Sequence, residues 1–420
     1  MTRISKPSLS NEGYNLQFKP FEKTLTKQGV PFYFQSAGTQ DVIKLELVFS
    51  GGIINQPAPG VASFTCSMLS EGTKSKSGTE LVNALDYYGA YFQAKASEYD
   101  SVITLYCLSK HLMAVLPLLN EAIEDSIFPE KALNTLKRNA IERLKVNEQK
   151  SSFLCRREFN SKFFGNDHPL GISSSIEDIN KIDIAQIIEY HQTYFLKGLK
   201  YILLSGRFED SLKDKVVEFI NFSNKVSSNI IYPELTTQKG KFIVTKEKAV
   251  QSTIKLGHKG ISRTHAYFPT FQLMNTILGG YFGSRLMKNI REDKGLTYGI
   301  YSSHETNSHY SLWYIESDLN KKNIEIARKE IFSEIAKIQT ELVEADELST
   351  AKNYLLGSIL KSLDNNLSLS GRMKLILDNE LNYDYLNEFK ERILKATAEE
   401  IREIANQYLH INDLIEITVE

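Results

Sequence analysis

Arg291 and Tyr298, seven residues apart, are the side chains of this chain best suited to handle a carbonyl group. A guanidinium fork can grip a carboxylate or a backbone carbonyl, and a phenol can donate to a carbonyl oxygen that is gaining charge. Both stand in the run from Gly279 to Tyr301, where Gly279, Gly280 and Gly283 separate two helical patterns and leave room for a substrate backbone. Leu286, Ile290 and Leu296 supply apolar points, and Gly295 has the position of a helix C-cap before a strand. Arg291 is therefore expected in the last turn of a helix and Tyr298 on the strand that follows. A helix-terminal arginine favoured by the dipole, beside an ordinary strand tyrosine, satisfies the same pattern. Spacing alone does not separate the two.

The elements that must hold this corner belong to a large, near-neutral chain. It has 420 residues, 42% hydrophobic and 24% charged, with a net charge of −1. That length favours two domains. The charge balance excludes a basic nucleic-acid footprint, so no nucleic-acid partner is expected. No apolar run reaches membrane-spanning length, so no membrane insertion is expected. The N-terminus lacks the apolar core of a signal peptide. The chain thus reads as cytoplasmic, or as periplasmic if a signal has been removed. Cys66, Cys107 and Cys155 are odd in number and lack paired spacing, which suggests neither a disulfide framework nor a zinc ribbon.

Residues 1–27 read as a polar N-terminal arm. Strands are predicted at 30–35 and 42–50, the second alternating well, then helices at 61–70 and from about 79 to a stop at Gly89. A hairpin (90–97 and 102–108), long helices at 110–126 and 130–150, a helix near 183–195, a strand at 201–205 and a helix to about 222 complete the first half. Residues 224–240 read as a linker. The order then restarts with strands near 242–246 and 251–257, helices to 294, a hairpin (296–303 and 310–318), five helices and a closing strand at 414–419. Gly89 to Leu108 and Gly295 to Ile315 enclose the same helix stop, strand, turn and strand over nearly equal lengths. The chain is therefore expected to be α+β. Two homologous repeats, 28–223 and 241–420, each carry an antiparallel-rich mixed sheet packed against a layer of helices.

The first repeat contains Gly60-Val61-Ala62-Ser63-Phe64-Thr65-Cys66-Ser67-Met68-Leu69-Ser70-Glu71-Gly72-Thr73. This stretch resembles the metal-binding helix of the pitrilysin-type, insulinase-like metallopeptidases, the inverzincins, whose signature is H-x-x-E-H. The frame matches at Gly60, Ala62, Phe64, Met68, Leu69, Gly72 and Thr73. The chemistry does not: Ser63 and Ser67 replace the two histidines, and Cys66 replaces the glutamate that serves as general base. The family's third ligand, a glutamate in the helix at 130–150, aligns with Arg143, leaving Glu142 as a solvated helix residue. Among the eight histidines no pair stands four apart, and His304 and His309, at the two ends of a hairpin turn, read as surface residues. Cys66 as a nucleophile is disfavoured because no histidine is local to it.

The resemblance extends over most of the chain, including His168-Pro169-Leu170-Gly171 and the helix end at 190–195, and it also reinterprets the opening corner. In this family the second repeat carries an arginine and a tyrosine at the same spacing, and they reach into a zinc site of the same or a partner chain. The resemblance therefore implies a non-catalytic subunit that holds no cofactor itself. It would supply Arg291 and Tyr298 in trans to a homologous zinc-bearing subunit, with the two closing like a clam shell around a peptide. Alone, the chain could pair with a second copy of itself, and the sequence leaves homodimer and heterodimer open. The alternative is a structural or peptide-binding protein akin to the core subunits of respiratory complexes that share the fold.

Overall fold

A computed structural model of the chain describes residues 19–226, 232–247, 251–363 and 366–420. Most of the expected arm, 1–18, and the middle of the expected linker, 227–231, lie outside the described residues. The first sheet comprises β1 (Glu22–Leu25), β2 (Pro31–Ser36), β3 (Val42–Phe49), β4 (Tyr91–Ala96), β5 (Ser101–Leu108) and β6 (Leu199–Gly206), in the order β1-β2-β6-β3-β5-β4. The second comprises β7 (Gly240–Val244), β8 (Ser252–Lys259), β9 (Thr297–Thr306), β10 (Ser311–Leu319) and β11 (Ile415–Val419), in the order β7-β11-β8-β10-β9. Apart from β1 the two orders are the same. In each sheet the first and last strands of the repeat pair in parallel, β2 with β6 and β7 with β11, and the remaining pairings are antiparallel. The chain is thus an α+β duplication. One addition was not expected: Glu22–Leu25, inside the polar arm, pairs antiparallel with β2 as an edge strand.

Helices of the first repeat are α1 (Val61–Met68), α2 (Gly78–Tyr87), α3 (Leu112–Glu124), α4 (Glu130–Glu148), α5 (Ser151–Phe164), α6 (Ile176–Lys181), α7 (Ile184–Tyr190) and α8 (Asp210–Phe219). Those of the second are α9 (Phe268–Asn275), α10 (Ile324–Thr340), α11 (Ala345–Lys361), α12 (Asn366–Asp378), α13 (Tyr385–Lys395) and α14 (Ala398–Tyr408), with two π-helical segments, Thr276–Gly280 and Met287–Asp293. Local chemistry sets several starts: Ser77 with Glu80, Asp183 with Gln186 and Thr397 with Glu400 form reciprocal capping boxes. None of the described helices is long and apolar enough to cross a membrane.

Each sheet is covered on one face by helices of its own repeat and on part of the other by a helix from the opposite repeat. Leu369, Met373 and Ile376 of α12 join Tyr33, Val48, Tyr201 and Leu203 of the first sheet in one core. Reciprocally, Cys155, Phe159 and Phe163 of α5 pack with Tyr314, Ile415, Ile417 and Val419 of the second. This exchange explains why β3, whose sequence alternates, is nonetheless closed on both faces. Lys44 and Glu46 on its α12 side pair with each other at 2.9 Å, and Lys44 also donates to Ser370 Oγ at 2.9 Å. A further network joins the repeats: Lys374 bridges Asp100 (3.3 Å) and Asp378 (2.7 Å), and Tyr201 donates to Asp378 at 2.6 Å.

Of the two hairpin histidines, His309 is exposed as expected, whereas His304 differs. His304 is not a surface residue: it packs against Phe268 and Phe271, with Gln272 Nε2 3.0 Å from its Nδ1. His309 stacks at 4.0 Å from both Tyr99 and Tyr232. Burial, helped by the nearby Arg263 charge, pushes the His304 imidazole down to about 3. Because the unfolded chain binds this proton and the folded one does not, the contribution of neutral His304 is intact above its ordinary range and lost as pH falls toward 3. The chain is expected to lose up to about 1.4 kcal/mol per pH unit in that window from this one group. Urea titrations at pH 7, 6 and 5 check this, and His304→Gln should flatten the dependence.

Candidate functional site

The arginine–tyrosine corner is built where a helix meets an edge strand. Gly279 is buried, and a Cβ there would come within 2.7 Å of both Ser302 Cβ and Ser302 N. Its role is therefore close approach of the segment Thr276–Gly280 to β9, not contact with a substrate as the sequence suggested. Gly280, the last residue of that segment, and Gly283, on the turn that follows, are exposed. Asn275 fastens the same junction, accepting from Trp313 Nε1 at 2.8 Å and from Ser302 Oγ. Leu286 and Ile290 are fully buried and seat the helical segment beneath Arg291. Gly295 ends that segment in the left-handed region at φ +60°, with its N–H donating to Arg291 O (3.2 Å), the C-cap expected there.

Arg291 is half-buried, its guanidinium lying over the Phe282 ring at 4.4 Å. Tyr298 is 92% exposed on the outermost strand of its sheet. Both line one cleft of about 600 Å³, together with Leu296, Asp318 and Asn323. Strand β9 is bulged at this point. Ile300 pairs with Ser317 and Thr297 with Leu319, so Tyr298 and Gly299 together face only Asp318. Bulges of this kind recur where a strand must re-aim a side chain. No sequence pattern marked it.

The other feature, α1, lies on the first repeat beside the edge strand β4. Gly60 opens it at φ +99°, and Val61, Ala62, Phe64, Met68 and Leu69 are buried. These are largely the positions at which the family frame is kept, so the frame survives because it packs the core. Ser63 and Ser67 face solvent, and Ser67 Oγ donates to Ser63 O at 3.0 Å. Cys66 points inward, 4% exposed, with Sγ 3.8 Å from Ser101 Oγ. Glu142 is exposed and pairs with Lys145 at 2.8 Å, while Arg143 is also exposed.

This donor set does not fit zinc. Neutral hydroxyls are poor ligands, and metal-binding cysteine must lose its proton. Burial pushes the Cys66 thiol up to about 12 despite the hydroxyl of Ser101. Among the described residues no three His, Cys, Asp or Glu side chains are grouped to hold a metal. The same burial makes Cys66 a poor nucleophile, since the thiolate is the reactive form. Cys107 is likewise raised to about 12, and Cys155 is raised as well. All three thiols should therefore resist a disulfide reagent at pH 8 in the native chain and react only in denaturant. A thiol titrating rapidly before unfolding would contradict the buried placement.

Comparison with known proteins agrees with this arrangement. The family description "Insulinase (Peptidase family M16)" matches residues 33–174, and "Peptidase M16 inactive domain" matches residues 181–355. A relative from Helicobacter pylori named "Non-peptidase homolog YmxG" is 25% identical over 400 residues, covering 88% of this chain and 87% of its own. The crystal structure of a peptidase M16 inactive domain from Pseudomonas fluorescens superposes with a TM-score of 0.86 at 24% identity, covering 95% of this chain and 98% of that one. A chain of Complex III2 from Candida albicans shares the fold, with a TM-score of 0.75 at 13% identity over 95% of each chain. The folding frame is kept while the residues at the ligand positions differ, and the chain belongs to the M16, insulinase-type peptidase family.

Proposed function

We propose that this chain is the non-catalytic subunit of a heteromeric zinc endopeptidase, completing in trans an active site whose metal and general base sit on a homologous partner subunit. The observation that carries this reading is the Arg291–Tyr298 corner. The two side chains share one open cleft, and the Tyr298 phenol stands on an edge strand with nothing packed over it. Keeping a large aromatic side chain 92% exposed gains the fold nothing, whereas a donor meant for another molecule must stand clear of its own chain.

In the assembled subunits, the cleft faces an extended peptide held between two half-shells. Tyr298 donates its phenolic hydrogen to the scissile carbonyl oxygen as negative charge develops there, a contact stronger in the transition state than in the ground state. Arg291, its guanidinium braced on Phe282, holds a neighbouring carbonyl or a carboxylate of the peptide. Gly280 and Gly283 leave the adjacent turn open to the peptide backbone. The partner's zinc would activate the attacking water, and this chain contributes only the hydrogen-bond donors and half of the enclosure.

The test is association and activity together. The chain should co-purify from its source cells with a homologue bearing an intact H-x-x-E-H helix. An unfolded, internally quenched peptide should be cleaved by the pair and by neither subunit alone. Stoichiometric zinc and peptidase activity in the pure chain would defeat the proposal. The likeness to a chain of Complex III2 supports a second reading, in which the fold serves assembly only and the corner is packing inherited from peptidases. Stable association without any cleavage of peptide would favour it.

A further inference from the structure

We infer that Thr297 and Ser317 are positioning residues for Tyr298: their hydroxyls lock the β-bulge that sets the direction in which the phenol leaves the strand. This rests on the trans-donor role of Tyr298 proposed above and adds which residues make it accurate. An exposed side chain with nothing packed against it takes its placement from the backbone alone. For Tyr298 that backbone is irregular, because Tyr298 and Gly299 together oppose only Asp318. A bulge frees backbone groups from the ladder, and they must find other partners.

Here two hydroxyls take them up. The Gly299 N–H donates to Thr297 Oγ1 at 3.1 Å. Thr297 Oγ1 in turn donates to Asp318 O at 2.6 Å, and Ser317 Oγ donates to Gly299 O at 2.9 Å. Each hydroxyl proton is used once, and the two oxygens lie 3.0 Å apart. Glycine at 299 does not by itself account for the bulge. A Cβ there would meet open space, so steric need does not select it. What remains to fix the bulge is the hydroxyl brace, which ties Gly299 to the strand opposite, directly through Ser317 and by way of Thr297 through Asp318 O. A displacement of about 1 Å at a reacting centre can cost about a hundredfold in rate, so even partial loosening should be visible.

The experiment has two arms. In the chain alone, Thr297→Val removes the acceptor for the Gly299 N–H while keeping the side-chain shape, and that amide should exchange with deuterium about tenfold faster or more. In the complex, with an internally quenched unfolded peptide as probe, Thr297→Val should lower kcat about tenfold with KM within about twofold, and Thr297→Ser should restore it. Ser317→Ala should act in the same direction, more weakly. An unchanged Gly299 exchange rate would overturn the brace. If Tyr298→Phe abolishes turnover but Thr297→Val does not, the brace is wrong and the donor role stands. If Tyr298→Phe retains full turnover, the donor role fails and the brace with it.

Discussion

Replacing Tyr298 by phenylalanine is expected to lower peptide turnover by the assembled complex about a hundredfold or more, with the two subunits still associating. The substitution removes one oxygen and leaves the ring. Because the side chain is 92% exposed, stability of the free chain should not change. What would be lost, in the proposed role, is a single donor aimed at the carbonyl oxygen, and preorganised donors of this kind lower a barrier by roughly 2.7–4 kcal/mol. The signature is a fall in kcat and kcat/KM together with KM little changed, because the contact matures only in the transition state. Arg291→Ala should differ by raising KM as well, since a guanidinium that holds a substrate carbonyl acts before the reaction as much as during it. Steady-state kinetics of the complex with an internally quenched peptide measures both. Turnover of the Tyr298→Phe complex equal to that of the unsubstituted one would remove the basis for the assisting role.

The second large effect concerns stability and the exchange of helices between repeats. Phe159→Ala on α5 should destabilise the second repeat by about 3–5 kcal/mol, although Phe159 belongs to the first. Its ring is fully buried and sits 5.0 Å beneath the ammonium of Lys255. It enters a space that Gly257 keeps open: a Cβ at Gly257 would approach Phe159 Cζ to 2.9 Å. Truncation leaves a cavity against the second sheet and uncovers the Lys255–Glu316 pair, which is closed at 2.8 Å with both side chains under 10% exposed. An ion pair gains little once water reaches it, so the loss compounds. The single tryptophan, Trp313, is buried in β10 of the second sheet and reports that repeat selectively. Urea unfolding followed by its fluorescence should show a lower midpoint. A change below about 1 kcal/mol would mean that α5 does not dock on the second sheet.

Much of the active-site reading lay within short stretches of chain. Serines at positions 63 and 67 and a cysteine at 66 cannot assemble a zinc site whatever the fold does around them, because ligand chemistry belongs to the residue. The helix stop at Gly295 and the spacing from Arg291 to Tyr298 are likewise local, since one turn and one strand residue decide where each side chain begins. The α+β duplication was legible because the order of helix and strand periods restarts after residue 240. Glu22–Leu25 was missed because a short polar edge strand has no buried face and so carries no hydrophobic alternation. His304 was misread because burial of a hairpin histidine depends on the α9 rings of Phe268 and Phe271, far away in sequence.

By itself the amino-acid order determined which chemistry this protein had lost, which donors it kept and that its architecture is doubled. Only the tertiary structure decided that α5 and α12 trade sheets, that Lys44 and Glu46 are enclosed, that Cys66 turns inward, and that a bulge turns Tyr298 out toward solvent. The physical reason is range. Ligand identity and helix or strand period are properties of a few neighbouring residues, whereas the partner of an apolar face and the register of a ladder are chosen among surfaces brought together from distant parts of the chain.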